Sequence, residues 1–245
     1  YFYGGARAST ATINVAMTAS QVQKTATSIA AVAADTDTKS ITYYTNGVGD
    51  EQSDYTVKYA GTTPVDYTFY FYGGARASTA TINVAMTASQ VQKTATSIDA
   101  VLADTNTKSI TYYTNGVGDE QSDYTVKYAG TTEVDTTYYF YGDATTNNRP
   151  GTATTNKAMY ASQVLRKGVA APAAGSSLAI TNANQKSITY YTNGVGDEQS
   201  DYTVKYAGTT PVDYTFYFYG GARASSATIN VAMTASQVQK TATSI

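Results

Sequence analysis

A chain of 245 residues with 16 basic and 18 acidic side chains carries a formal charge of −2 and no basic stripe of the kind a nucleic-acid surface needs. The absence of Cys removes disulfide and thiolate chemistry, and the absence of His removes the commonest metal ligand and the commonest general base near neutral pH. No apolar run approaches the roughly 18 residues of a membrane-spanning helix.

The chain opens on YFYGGARASTATINVAMTASQVQKTATSI, Tyr1–Ile29, which recurs unchanged at Tyr70–Ile98 and returns at Tyr217–Ile245 with Ser226 as its one change. A diverged copy starts at Tyr139, so the offsets are 69, 69 and 78. A second stretch, KSITYYTNGVGDEQSDYTVKYAG, is identical at Lys39–Gly61, Lys108–Gly130 and Lys186–Gly208. A repeated unit is the domain-sized object. Its frame reads as 1–69, 70–138, 139–216 and a partial 217–245, or as 39–107, 108–185 and 186–245 after a half unit 1–38. The chain starts and stops inside a repeat motif, which reads as a segment of a longer one. Units of this size bury only about 60% of their unfolded surface, so contacts with neighbouring units or with further copies of the chain are expected. The nine extra residues of the third copy fall as four in Asp143–Gly151 and five around Gly168–Gly175. Insertions are tolerated in exposed turns rather than in paired strands, so both positions read as loops.

Within a unit, four segments alternate with period two and are rich in β-branched and aromatic residues, as strands are. In KSITYYT, Ile41 and Tyr43 share a face; in DYTVKYA, Tyr55, Val57 and Tyr59 do. In VDYTFYFY, Val65, Tyr67, Phe69 and Phe71 oppose Asp66, Thr68, Tyr70 and Tyr72; in ATINVAM, Ile13, Val15 and Met17 share a face. The period then changes. Val91, Ala95, Ile98 and Leu102 lie on one helical face, as do Val22, Ala26, Ile29 and Ala33; a Thr- and Ser-rich extended segment is the alternative. Thr18/Gln21 and Thr87/Gln90 have capping-box spacing. In the third copy, Gly168 and Pro172 shorten or split the helix. Asn46-Gly47 and Gly73-Gly74 suit hairpin turns. The expected fold class is therefore a β-rich α+β tandem repeat, with two β-hairpins plus one helix per unit of about 69 residues.

Carried by TATINVAM, TASQVQKTATSIAAVAAD and KSITYYTNG, this pattern resembles ββαββ-type repeats in the outer domains of flagellin-like filament proteins and in bacteriophage tail-fibre proteins. The resemblance implies a structural role outside the cell. The weakly charged composition, with 24 Tyr and abundant Thr, points the same way, to an extracellular, cell-surface or virion location.

Several constellations bear on chemistry. The loop GDEQSD offers Asp50, Glu51 and Asp54, repeated as Asp119, Glu120, Asp123 and as Asp197, Glu198, Asp201. These carboxylates could ligate calcium or merely solvate a hairpin tip and blunt edge pairing. Asp35/Asp37, Asp104/Asn106 and Asn182/Asn184 precede each KSITYY strand and suit turns at least as readily. A hydrolase built on Asp50 and Glu51 would be repeated three times in identical loops, so no enzyme activity and no resident cofactor is expected. Tyr70 and Tyr72 point away from the Phe face. With Asn147, Asn148 and Arg149 of the enlarged third-copy loop, they form the candidate surface for a glycan or for another chain. Lys58 and Asn14, both placed mid-strand with Glu51 as catalyst, also suggest an isopeptide crosslink. The leading expectation is a non-catalytic segment of a fibre, filament or stalk; the alternative is an adhesin or phage-fibre module that recognises a glycan.

Overall fold

The computed structural model describes residues 1–26, 29–180 and 183–242. They form two compact units, residues 1–120 with 128–132, and residues 121–127 with 133–245. The first holds β1 (Phe2–Tyr3), β2 (Ala6–Arg7), β3 (Met17–Gln23), β4 (Thr38–Thr45), β5 (Gln52–Ala60), β6 (Thr63–Tyr72), β7 (Ala75–Arg76), β8 (Met86–Gln92) and β9 (Thr107–Thr114). Strand β10 (Gln121–Ala129) counts mostly with the second unit. That unit continues with β11 (Thr132–Gly142), β12 (Asn147–Asn148), β13 (Met159–Arg166), β14 (Gln185–Thr192), β15 (Gln199–Ala207), β16 (Thr210–Tyr219), β17 (Ala222–Arg223) and β18 (Met233–Gln239). One turn of 3₁₀ helix, Thr152–Thr154, is the whole helical content of the described residues.

Each long strand pairs antiparallel with its neighbour in sequence. In the first unit β3 pairs β4, β4 pairs β5, β5 pairs β6, β6 pairs β8 and β8 pairs β9. In the second, β11 pairs β13, followed by β14, β15, β16 and β18. Because opposed residues share a face, the registers sort the side chains. Ala19, Tyr43, Tyr55, Phe69, Gln90 and Ile110 run across one face, and Gln21, Ile41, Val57, Tyr67 and Gln92 run beside them. Ser20, Thr42, Thr56, Thr68, Val91 and Ser109 run across the other. The alternation expected for KSITYYT, DYTVKYA and VDYTFYFY is therefore the one observed. The first face carries the cores: Phe2, Ala19 and Ile41; then Phe69, Phe71 and Ala88; and in the second unit Tyr138, Phe140, Ala161, Leu165, Ile188, Val204 and Tyr206.

The helix is the error in the expected fold class: the protein is an antiparallel β structure, not an α+β repeat. TASQVQ belongs to β3, β8 and β18, and the described residues after β3 and β8 carry no regular helix and pack Ile29, Val32, Ile98 and Val101 on the apolar face. Two physical reasons account for this. The β-branched and hydroxyl-bearing residues of KTATS are poor helix formers, because their hydroxyls can compete with helical backbone hydrogen bonds. An isolated segment shorter than about 12–15 residues is also a marginal helix. A strand-like contact holds the segment instead. Gln90 Nε2 donates to Leu102 O at 2.7 Å, and Leu102 N donates to Gln90 Oε1 at 3.2 Å. Gln21 does the same with Ala33. The residues taken for a capping box thus lie in strands, and Gln21 and Gln90 clamp the covering chain. The third-copy helix is absent too. Gly168–Gly175 is an irregular connection that packs Val169 on the core. The helical stripe splits: Ile98 packs on the Phe69–Phe71 cluster while Leu102 is 71% exposed.

The ATINVAM strand is also not formed, because Asn14, Asn83 and Asn230 take positive φ of 62°, 60° and 66° and turn the chain before Met17, Met86 and Met233. Asn14 is accordingly not a mid-strand partner for Lys58. Gly73 and Gly74, at φ 57° and 88°, form the expected tight turn between β6 and β7. Asn46 turns as expected, at φ 75°, but it opens a longer loop that reverses again at Gly49, φ 86°.

Candidate functional site

The three acidic residues of each GDEQSD loop go to different partners. Glu51 Oε1 accepts from Met17 N at 3.1 Å and its Oε2 from Gly49 N at 2.9 Å. Glu120 and Glu198 repeat this on Met86 and Gly118, and on Met159 and Gly196. The Met17 amide, more than the other bonds, holds the Glu51 carboxyl below the usual range. Asp54 instead receives a two-point pair from Arg76, Nε to Oδ1 at 2.9 Å and Nη2 to Oδ2 at 2.5 Å. Asp123 pairs likewise with Arg149, and Asp201 with Arg223. The backbone N–H groups of Asp50, Asp119 and Asp197 close the loop turn on Gly47, Gly116 and Gly194. Among the described residues no group of three acidic side chains converges to hold a metal ion. Asp35 and Asp104 serve turns: Asp104 accepts from Asn106 N and the Thr107 hydroxyl, and Asp35 accepts from Asp37 N and from the buried Thr38 hydroxyl, the latter bond lowering the Asp35 pKa most. Asn182 lies outside the described residues.

The second half of the enlarged third-copy loop is turned inward, while Asp143–Thr146 is exposed. Asn147 and Arg149 are 9% and 5% exposed. Asn147 Oδ1 accepts from Leu178 N at 3.1 Å, Asn148 Oδ1 from Ser177 Oγ at 2.8 Å, and Arg149 also donates to the Pro172 carbonyl. The two insertions of the third copy therefore bind each other, which their separation in sequence conceals. Tyr70 does lie on the face opposite the Phe residues, where its hydroxyl meets Thr56 at 3.0 Å, as Tyr139 meets Thr125 and Tyr217 meets Thr203. Burial pushes the Tyr72 hydroxyl up to about 12. Its counterparts Tyr141 and Tyr219 donate to the Ser122 and Ser200 carbonyls. These tyrosines are therefore tied into the sheet.

The other face of the sheet holds a row of aromatic rings. The register sets Tyr43 against Tyr55 and Tyr55 against Phe69. The Tyr43 and Tyr55 rings stack at 4.6 Å with 20° between planes, and Tyr55 lies 6.0 Å from Phe69. The Arg76 guanidinium sits 4.6 Å over Phe69 while bound to Asp54. These groups, with Tyr67, Ser78, Ser97 and Asp99, line a cleft of about 480 Å³. The second unit repeats it as Tyr190, Tyr202, Tyr214, Phe216 and Arg223, with rings at 4.6 Å and 21° and a cleft of about 360 Å³. The signal in the sequence was tyrosine at 43, 55 and 67, where an ordinary core face has aliphatic residues. No family model, curated protein or solved structure matches this chain.

Proposed function

We propose that this chain is a non-catalytic structural repeat segment of an extracellular fibre, filament or surface stalk. The observation that supports this reading is the identical internal use of charge in each copy. The carboxylates of three separate loops each hold the same backbone amide and the same arginine, so the groups best suited to chemistry instead hold the sheet together. Stability that sums over units and their interfaces suits an array of this kind. Electron microscopy of the native source, labelled with antibody against residues 70–94, tests it. Label along filaments or stalks supports the reading; label confined to the cytoplasm overturns it.

A second reading, recognition of a glycan or cell surface, is favoured by one observation, the tyrosine-lined cleft. The residues first chosen for that role, Tyr70, Tyr72, Asn147, Asn148 and Arg149, are engaged within the fold as described above.

A further inference from the structure

We propose that the Tyr43–Tyr55–Tyr67 cleft and its counterpart Tyr190–Tyr202–Tyr214 each bind a pyranose ring of a neutral glycan. This rests on the second reading and names its site and ligand class.

Four features carry the inference. Phenol rings stacked at 4.6 Å form a rigid aromatic row that lines the cleft with ring edges and an outer face, apolar along its length and polar at its hydroxyl ends, which suits a ring with C–H groups on one side and hydroxyls at its rim. Volumes of about 480 and 360 Å³ fall within the small-ligand range of roughly 300–1,000 Å³. The Asp54–Arg76 and Asp201–Arg223 pairs fix the floor before any ligand arrives, which limits the ordering cost of binding, and they cancel their own charge. In the first cleft the exposed rim supplies the Ser78 and Ser97 hydroxyls and the Asp99 carboxylate, acceptors and donors for hydroxyl groups but no spare cation for an acid. An extended peptide is a poorer fit, since the strands beneath are paired on both sides and offer no free edge.

The third copy provides an internal control. Thr136 stands where the other copies have Tyr67 and Tyr214, and the five-residue insertion lays Val169 and Ala171 along the corresponding cleft. Arg149 there donates to the Pro172 carbonyl. That position keeps a smaller cleft of about 300 Å³ but lacks the third tyrosine and is walled by the chain's own insertion, so two sites are expected per chain.

The test is a glycan array of neutral and sialylated oligosaccharides, followed by calorimetric titration with the best neutral hit. Rim substitutions keep the fold intact because their sites are exposed: Ser97→Trp closes the first cleft, Ala242→Trp the second, and Ala171→Trp lies on the third-copy cleft that lacks the third tyrosine. The expected result is two equivalents bound by the parent chain, one by either Ser97→Trp or Ala242→Trp, none by the double variant, and two by Ala171→Trp. Full binding by the double variant overturns the site assignment and leaves glycan recognition standing elsewhere on the chain. A blank array overturns both. Tight binding restricted to sialylated glycans overturns the neutral class.

Discussion

Arg76 is 6% exposed and carries three contacts at once: both oxygens of Asp54, the Ile98 carbonyl at 3.1 Å, and the face of Phe69. It fastens the covering segment to the sheet. A buried pair is weak evidence for net stabilisation, but breaking it on one side strands the other charge, at a cost of about 3–5 kcal/mol. Arg76→Ala is therefore expected to destabilise by about that much. Arg76→Ala with Asp54→Ala should recover a large part, because no unpaired carboxylate then remains. Denaturant unfolding of the parent, both single variants and the double variant measures the coupling, and additive losses would show the pair to be uncoupled. A second expectation concerns alkali. Burial raises the Tyr72 and Tyr202 hydroxyls to about 12, above the ordinary value of 10.0. The folded state then holds its protons more tightly than the unfolded one. The stability this contributes is complete below pH 10 and is lost as pH rises toward 12. Ultraviolet phenolate titration should show a late-ionising tyrosine class whose appearance coincides with loss of β signal in circular dichroism.

The covering segment after β8 separates two structural ideas cleanly. On a helix, Ile98 and Leu102 share a buried face; in the structure, Ile98 meets the Phe69–Phe71–Ala88 cluster and Leu102 points to solvent. Ile98→Ala is expected to cost about 1–2 kcal/mol, less than the 2–5 kcal/mol of a fully buried isoleucine, whereas Leu102→Ala should be nearly silent in thermal unfolding. Equal losses at both positions would restore the helix. The strands of KSITYYT, DYTVKYA and VDYTFYFY were legible because β-branched and aromatic residues are dense there and the inward positions alternate mainly with Thr, Ser, Lys and Asp. TASQVQ was not, because Ala and Gln mark an inward face only faintly. Its pairing with β6 and β9 comes from residues remote in sequence. Asn14 looked like a strand residue for the complementary reason: one left-handed asparagine interrupts an alternation that Ile13 and Val15 otherwise continue. The acidic loops and the hairpin-tip arginines are visible in the composition, but which carboxylate meets which arginine, 22 residues away in two copies and 26 in the third, is set only by folding. The tyrosine cleft was hidden in the same way, since its rings come together through cross-strand register.

Sequence identity at the scale of the repeat has a direct consequence for the whole molecule. β6 and β11 are equivalent strands, and removing residues 70–138 joins Phe69 to Tyr139 in the middle of that strand without changing its alternation. The shortened chain is expected to stay soluble with an unchanged β-type circular dichroism per residue. Removing residues 70–107 instead truncates β6 and deletes β8, and should give an aggregating product. Insolubility of the first deletion would mean that the copies are not interchangeable. The order of pairing also determines how such a chain answers to load. Since the long strands within each unit are bonded to the next in sequence, tension on the ends of a unit meets the hydrogen bonds a few at a time, as a zipper does, and never shears a whole strand pair at once. One repeat of 69 residues would release up to about 230 Å of extended chain. A tether made this way is a weak, extensible shock absorber rather than a stiff rod. Pulled singly, it should yield through many small steps.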